Sequence, residues 1–166
     1  MKLRNILFLL LISLSFQRCG IYSFTGGNVG DVKTIKVAYF ENNAVLVEPS
    51  LSQKFTIALQ DLFTSQTNLT LVNADADLTF EGEIVEYRIN PMTATASQQA
   101  AQNRLTIGIN VRFFNRLKEE DNFERKFSFY YDFDADANIN AIIDDAFETI
   151  FERINQDIFN ASVAKW

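Results

Sequence analysis

The sequence predicts an α+β domain: a two-layer sandwich with two helices on one face of a four-stranded mixed sheet, in the order β-α-β-β-β-α. Three observations carry this. Residues 77–90, 105–113 and 123–133 alternate apolar and polar positions with the period of half-buried strands. Two stretches, opening at Ser50 and Ile139, repeat apolar residues every three or four positions, the spacing of a helix with one buried face. Sixteen Phe in 166 residues supply rings for the layer between.

Taken in order, Lys33 to Phe40 is the first strand, with Ile35, Val37 and Tyr39 on one face. Ser50 opens the first helix, and Gln53 three residues on completes a capping-box pattern. Leu51, Phe55, Ala58, Leu59 and Leu62 form that helix's apolar stripe. Residues 68–73 are extended and brief. In the strand from Asp77 to Asn90, Leu78, Phe80 and Ile84 share one parity while Val85, Tyr87 and Ile89 share the other. Such a switch between Gly82 and Val85 predicts a bulge. Pro91 to Asn103 is an uncharged loop, longer than most connections and of a length associated with function or disorder.

Leu105, Ile107, Ile109, Val111 and Phe113 point inward from the third strand. Residues 118–122 make a charged turn. Phe123, Phe127, Phe129, Tyr131 and Phe133 share one face of the fourth strand, interrupted by Arg125. These three strands predict an antiparallel meander. The last helix runs from about Ile139 to Val163 on a stripe of Ile139, Ile143, Ala146, Phe147, Ile150, Ile154 and Ile158, widened by Phe151 and Phe159.

The front of the chain is of another kind. Lys2 and Arg4 precede nine apolar residues from Ile6 to Leu14, too few to cross a bilayer, which needs about 20. A basic start and a short apolar run describe a secretory signal peptide. Cys19, the sole cysteine, follows that run at the distance of the acylated Cys of bacterial lipoproteins, although Arg18 stands where such signals usually carry a small residue. The expected organisation is a signal peptide over 1–18, a lipidated flexible lead over 19–32 and a single α+β domain over 33–166. One acyl chain holds a protein on a membrane only marginally, and two or more hold it stably. With no second Cys the domain forms no disulfide and depends on its core.

Several function classes fall away. Without His, and with Cys19 in the lead, Ser/His and Cys/His nucleophilic sites and most zinc sites are excluded. No phosphate-binding glycine loop occurs, so the chain reads as no enzyme and needs no cofactor. Asp132, Asp134, Asp136 and Asn138 alternate like calcium ligands, but Ala137 and Ile143 occupy the positions that demand Gly and Glu. The segment reads instead as a solvated turn leading into the helix, with no metal. The formal charge is −6, and removing residues 1–18 leaves 12 basic against 21 acidic residues, or −9. That balance argues against nucleic acid.

The exposed sheet face carries Arg104, Arg112, Phe114 and Arg116 on one strand and Lys126 and Tyr130 on the next, while Arg88 flanks the 91–103 loop. Either these cations meet an anionic ligand or a partner, or Glu81, Glu83, Glu86 and Glu124 neutralise them across the sheet.

CGIYSFTG at 19–26, KTIKVAYFEN at 33–42, LSQKF at 51–55, SQTNLTLV at 65–72, FEGEI at 80–84, NRLTI at 103–107 and the ending IFNASVAKW together resemble the LptE family, the lipopolysaccharide-assembly lipoproteins of the outer membrane, in its Bacteroidetes branch. The resemblance implies two helices on a four-stranded sheet. It also implies a lipid-anchored position on the periplasmic side of the outer membrane, as a plug that helps a large β-barrel translocon assemble and deliver lipopolysaccharide. Candidate contacts with that partner or with lipopolysaccharide are then Arg88, Arg104, Arg112, Arg116 and Lys126, and Cys19 is the lipid-attachment residue. The alternative, from the residues alone, is a free-standing periplasmic carrier of a small amphiphile, which requires an apolar pocket between sheet and helices.

Overall fold

The computed structural model describes residues 31–46, 48–92 and 101–163. The signal segment, Cys19 and nearly all of the lead lie outside the described residues, as do residues 93–100 of the long connection and the last three positions. In chain order the elements are β1 (Thr34–Val37), β2 (Glu41–Asn42), α1 (Leu51–Gln66), β3 (Thr70–Leu71), β4 (Leu78–Met92), β5 (Gln102–Asn115), a 3-10 turn at Glu119–Asp121, β6 (Phe123–Asp134) and α2 (Ile139–Ser162). The strands form one mixed sheet in the order β3-β1-β4-β5-β6, with β2 also paired to β4. β4, β5 and β6 are the expected antiparallel meander, while β1, β2 and β3 run parallel to their neighbours. Both helices lie on one face.

The sheet has six strands rather than four. Residues 68–73 contribute β3, a two-residue parallel edge beside β1. The first strand divides into β1 and β2, which occupy one lane along β4, against Leu78–Phe80 and then Glu83–Ile84. The division has a local cause. Phe40 turns into the core, its backbone N–H leaves the ladder, and the Thr56 hydroxyl on α1 accepts it at 3.2 Å. Its ring takes the space over Gly82, where a Cβ would lie 2.6 Å from Phe40 Cε1 and 2.0 Å from the Asn110 carbonyl oxygen. Alternation therefore breaks after Val37, and Tyr39 is exposed where an inward position was expected.

The predicted bulge is present: the register with β5 shifts between Ile84 and Glu86, leaving Val85 over. One extra residue returns Tyr87 and Ile89 to the helix side, opposite the buried Ile107 and Leu105. The connection after β4 is shorter than expected, because Pro91 and Met92 still pair with Asn103 and Gln102.

The capping box at Ser50 does not form. The Ser50 hydroxyl donates to Glu48 Oε1 at 2.9 Å, so no side-chain oxygen caps α1. At α2, by contrast, Asn138 Oδ1 accepts from Asn140 N at 3.1 Å.

Rings fill the layer between sheet and helices. One series runs Phe159–Phe63–Phe80–Phe113–Phe123 with centroids 4.7–5.4 Å apart, joining α2 through α1 to the far strand. A second runs Phe40–Phe55–Phe151–Phe147 at 5.1–5.5 Å. These spacings suit tilted and edge-to-face ring contacts, which add to what area burial alone provides.

Candidate functional site: the open sheet face

Alternation along β4, β5 and β6 sends every second side chain away from the helices, so the meander presents one broad polar face. All five cations picked out from the sequence lie on it or at its end, but the structure does not gather them. Arg104 and Arg116 bound a stretch of 12 residue steps along β5, roughly 40 Å at strand rise. They fall into separate groups, each matched to a carboxylate.

Nearest the 93–100 connection, Arg104 makes a two-pronged bond to Asp132, the residue opposite it on β6, with Nε to Oδ1 at 2.6 Å and Nη2 to Oδ2 at 2.7 Å. Its guanidinium lies 3.5 Å from the centroid of the Tyr130 ring, which in turn stacks on Phe129. The Asp132 hydrogen bond raises the pKa of Arg104 above its ordinary value. In the middle, Glu86 accepts from Lys126 at 2.6 Å and pairs with Arg88 at 2.8 Å. The Lys126–Glu86 bridge crosses β5 over Gly108, where a Cβ would stand 2.6 Å from Lys126 Cε. Further along, Arg112 faces Glu83 at 3.8 Å. At the far end Arg116 donates to Asp77 Oδ1 at 2.6 Å.

The face is therefore a lattice of cross-strand ion pairs, close to the balance that Glu83 and Glu86 suggested. Glu81 and Glu124 form no such bridge among the described residues, and Asp77 and Asp132 take two of the four cation groups instead. A phosphate approaching Arg104 has to displace Asp132 from both prongs. Phe114 and Tyr130, each 43% exposed, add apolar surface to the same face. Such a surface suits contact with a polypeptide better than capture of a free anion.

Asp77 is the residue that sequence reasoning missed. Its Oδ2 accepts from Lys33 N, Thr34 N and the Thr34 hydroxyl at 3.0–3.1 Å, and its own N–H donates back to Thr34 Oγ1 at 2.9 Å. The Lys33 backbone N–H, with Arg116 next, holds its carboxyl well below the usual carboxylate range. Asp77 thus fastens the start of β1 to β4 and to the end of β5. In sequence it is one Asp of an acidic stretch, and nothing there marks its partners.

Among the described residues no cluster of three or more acidic, His or Cys side chains is placed to hold a metal. No helix among them is long and apolar enough to cross a membrane.

Comparison with solved structures shows the fold. A hypothetical protein from Chlamydia trachomatis superposes with a TM-score of 0.58 at 9% identity, covering 81% of this chain and 99% of that one. Rare lipoprotein B from Shewanella oneidensis matches at a TM-score of 0.47 and 11% identity over 78% of this chain and 97% of its own. An uncharacterized lipoprotein B from Nitrosomonas europaea matches at 0.44 and 11% over 85% and 91%. A search of curated proteins finds no match. The lipopolysaccharide-assembly family model, LptE, matches residues 32–162, from two residues before β1 to the last residue of α2. The chain belongs to the LptE family of lipopolysaccharide-assembly lipoproteins.

Proposed function

We propose that this chain is a non-enzymatic lipoprotein, acylated at Cys19 after removal of residues 1–18, that plugs and stabilises the β-barrel translocon through which lipopolysaccharide reaches the outer membrane. It sits on the periplasmic side of that membrane, tethered through the 19–32 lead. Its sheet face, with Arg88, Arg104, Arg112, Arg116 and Lys126, is the surface offered to the barrel and to passing lipopolysaccharide.

The observation that carries this reading is the family match across essentially the whole described domain. The ion-paired face supports a scaffold role, since its charges are already balanced and its value lies in shape and complementarity. A carrier of small amphiphiles is disfavoured by the layer between sheet and helices. There Phe40, Phe55, Phe63, Phe80 and Phe113 are buried and touch ring to ring.

The test is affinity purification of the lipidated full-length chain from its own membranes, together with its depletion in cells. The expected results are recovery of the translocon barrel in stoichiometric amount, and a misassembled barrel on depletion. Purification without any barrel protein would overturn the reading.

A further inference from the structure

The sheet face is only one of two unusual surfaces, and the other lies on the opposite side of the molecule. There α1 and α2 run side by side in the same direction, Phe55 beside Phe151 and Phe63 beside Phe159. Between their outward sides opens a groove of about 480 Å³. Ala58, Leu62 and Phe151 floor it, and Asp61, Glu148 and Glu152 rim it.

Two features of this groove lack partners. The three rim carboxylates make no ion pair or hydrogen bond among the described residues, unlike the carboxylates that pair the cations of the sheet face. Independently, Asn155 lines the same groove, is 3% exposed, and holds a buried side-chain oxygen with nothing to accept from. Buried amide oxygens in folded domains nearly always have a donor.

Apolar floor, uncompensated negative rim and unpaired acceptor all ask for one chemistry: a donor-bearing cation carried next to an apolar group. We propose that the groove between α1 and α2 docks a basic, partly apolar polypeptide segment of the barrel partner, a Lys or Arg side chain lying between the α1 and α2 carboxylates and an N–H meeting Asn155. This rests on the translocon reading for the identity of the partner. A lipid phosphate is repelled by the rim. A second copy of this chain would bring the same negative helix face against this one. The chain's own lead over residues 20–30 carries no charge to offer. The sheet face and the helix groove then grip two different parts of the partner.

A photoreactive residue at Gln156, which lines the groove, is introduced into the full-length lipidated chain and irradiated in cells. The purified complex is then mapped by mass spectrometry. The expected product is a crosslink to a barrel peptide containing Lys or Arg within two residues of an apolar side chain. Its yield falls at least fivefold in the Glu148→Lys/Glu152→Lys variant and returns when the mapped cation is exchanged for Glu. Both glutamates are exposed, so an unchanged melting temperature confirms that the variant folds. A crosslinked peptide without a cation overturns the proposal, as does one from a second copy or from residues 164–166. A missing crosslink while the barrel still co-purifies overturns the groove and leaves the translocon reading standing. Absence of the barrel from the wild-type preparation overturns both.

Discussion

Asp77 shows how much structure one carboxylate can hold. Through its side chain and N–H it makes four hydrogen bonds to Lys33 and Thr34 and a fifth to Arg116, so the first strand of the domain is tied to the meander where the described residues begin. In the proposed acylated form, a pull through the tether would arrive at Lys33 and Thr34, the residues Asp77 grips. The pH dependence has a definite sign. The folded-state pKa is depressed below the ordinary 3.8, so the carboxylate contributes its full stabilisation above that value. As pH falls below about 4 the contribution is progressively lost, because the unfolded chain takes up the proton first. Asp77→Asn is therefore expected to lower the urea midpoint at pH 7, and the gap from wild type should narrow steadily below pH 4. Urea titrations at a series of pH values check this, and a gap that stays constant down to pH 2 would refute it.

At the scale of elements, two glycines in the meander have opposite meanings. Gly82 faces the helices, and a Cβ there meets a backbone carbonyl of the neighbouring strand and the buried Phe40 ring. The ring cannot move without opening the β1–β2 break that Phe40 and Thr56 hold, and the carbonyl, of Asn110, is part of the β4–β5 ladder. Gly108 lies on the open face, covered by the Lys126–Glu86 bridge, and its Cβ meets the far end of the Lys126 side chain, which can swing aside, and Glu86 Cβ at 3.0 Å, which must give by a few tenths of an ångström. Gly82→Ala is expected to cost about 1–3 kcal/mol or more, as overpacked cores do. Gly108→Ala should stay within about 1 kcal/mol of wild type, the strand interior gaining from a side chain what the bridge loses. Guanidinium titration of both variants decides it.

The same contrast explains what could be read in advance. β4, β5, β6 and α2 were legible because long periodic runs bury one face, and the bulge was legible because Leu78 and Ile89 lie on opposite parities. β2 and β3 were not, since two-residue edges carry no period and exist only where a neighbour offers them a ladder. The Ser50 cap failed because Glu48, two residues back, competes for its hydroxyl. At the site, residue type and parity put Arg104, Arg112 and Lys126 on the open face. Their partners depended on register: Asp132 stands opposite Arg104 only once the turn is set, in which Asn115 Oδ1 accepts from Leu117 N and Lys118 N. Asn155 was invisible as an orphan, because one polar residue at the margin of an apolar helix stripe normally faces water.

For the whole molecule, direction matters. β4 has 15 residues and so measures about 50 Å. The N-terminal lead joins at one end, beside Asp77, Arg116 and the exposed Leu117, while the β4–β5 connection lies at the other. A hydrocarbon core is about 30 Å thick, so in the proposed plug role a domain of this length would span the height of a barrel wall. With Cys19 acylated in the periplasmic leaflet, insertion connection-first leaves the lead slack. Insertion the other way makes the lead run back past the sheet to that leaflet, which draws residues 20–32 out over most of the roughly 45 Å they reach fully extended. The connection end is thus expected deepest in the barrel. Photoreactive residues at Met92 should crosslink to the barrel and be shielded from a periplasm-confined reagent, whereas a cysteine at Leu117 should label readily with that reagent. Labelling at Met92 with shielding at Leu117 would overturn this orientation.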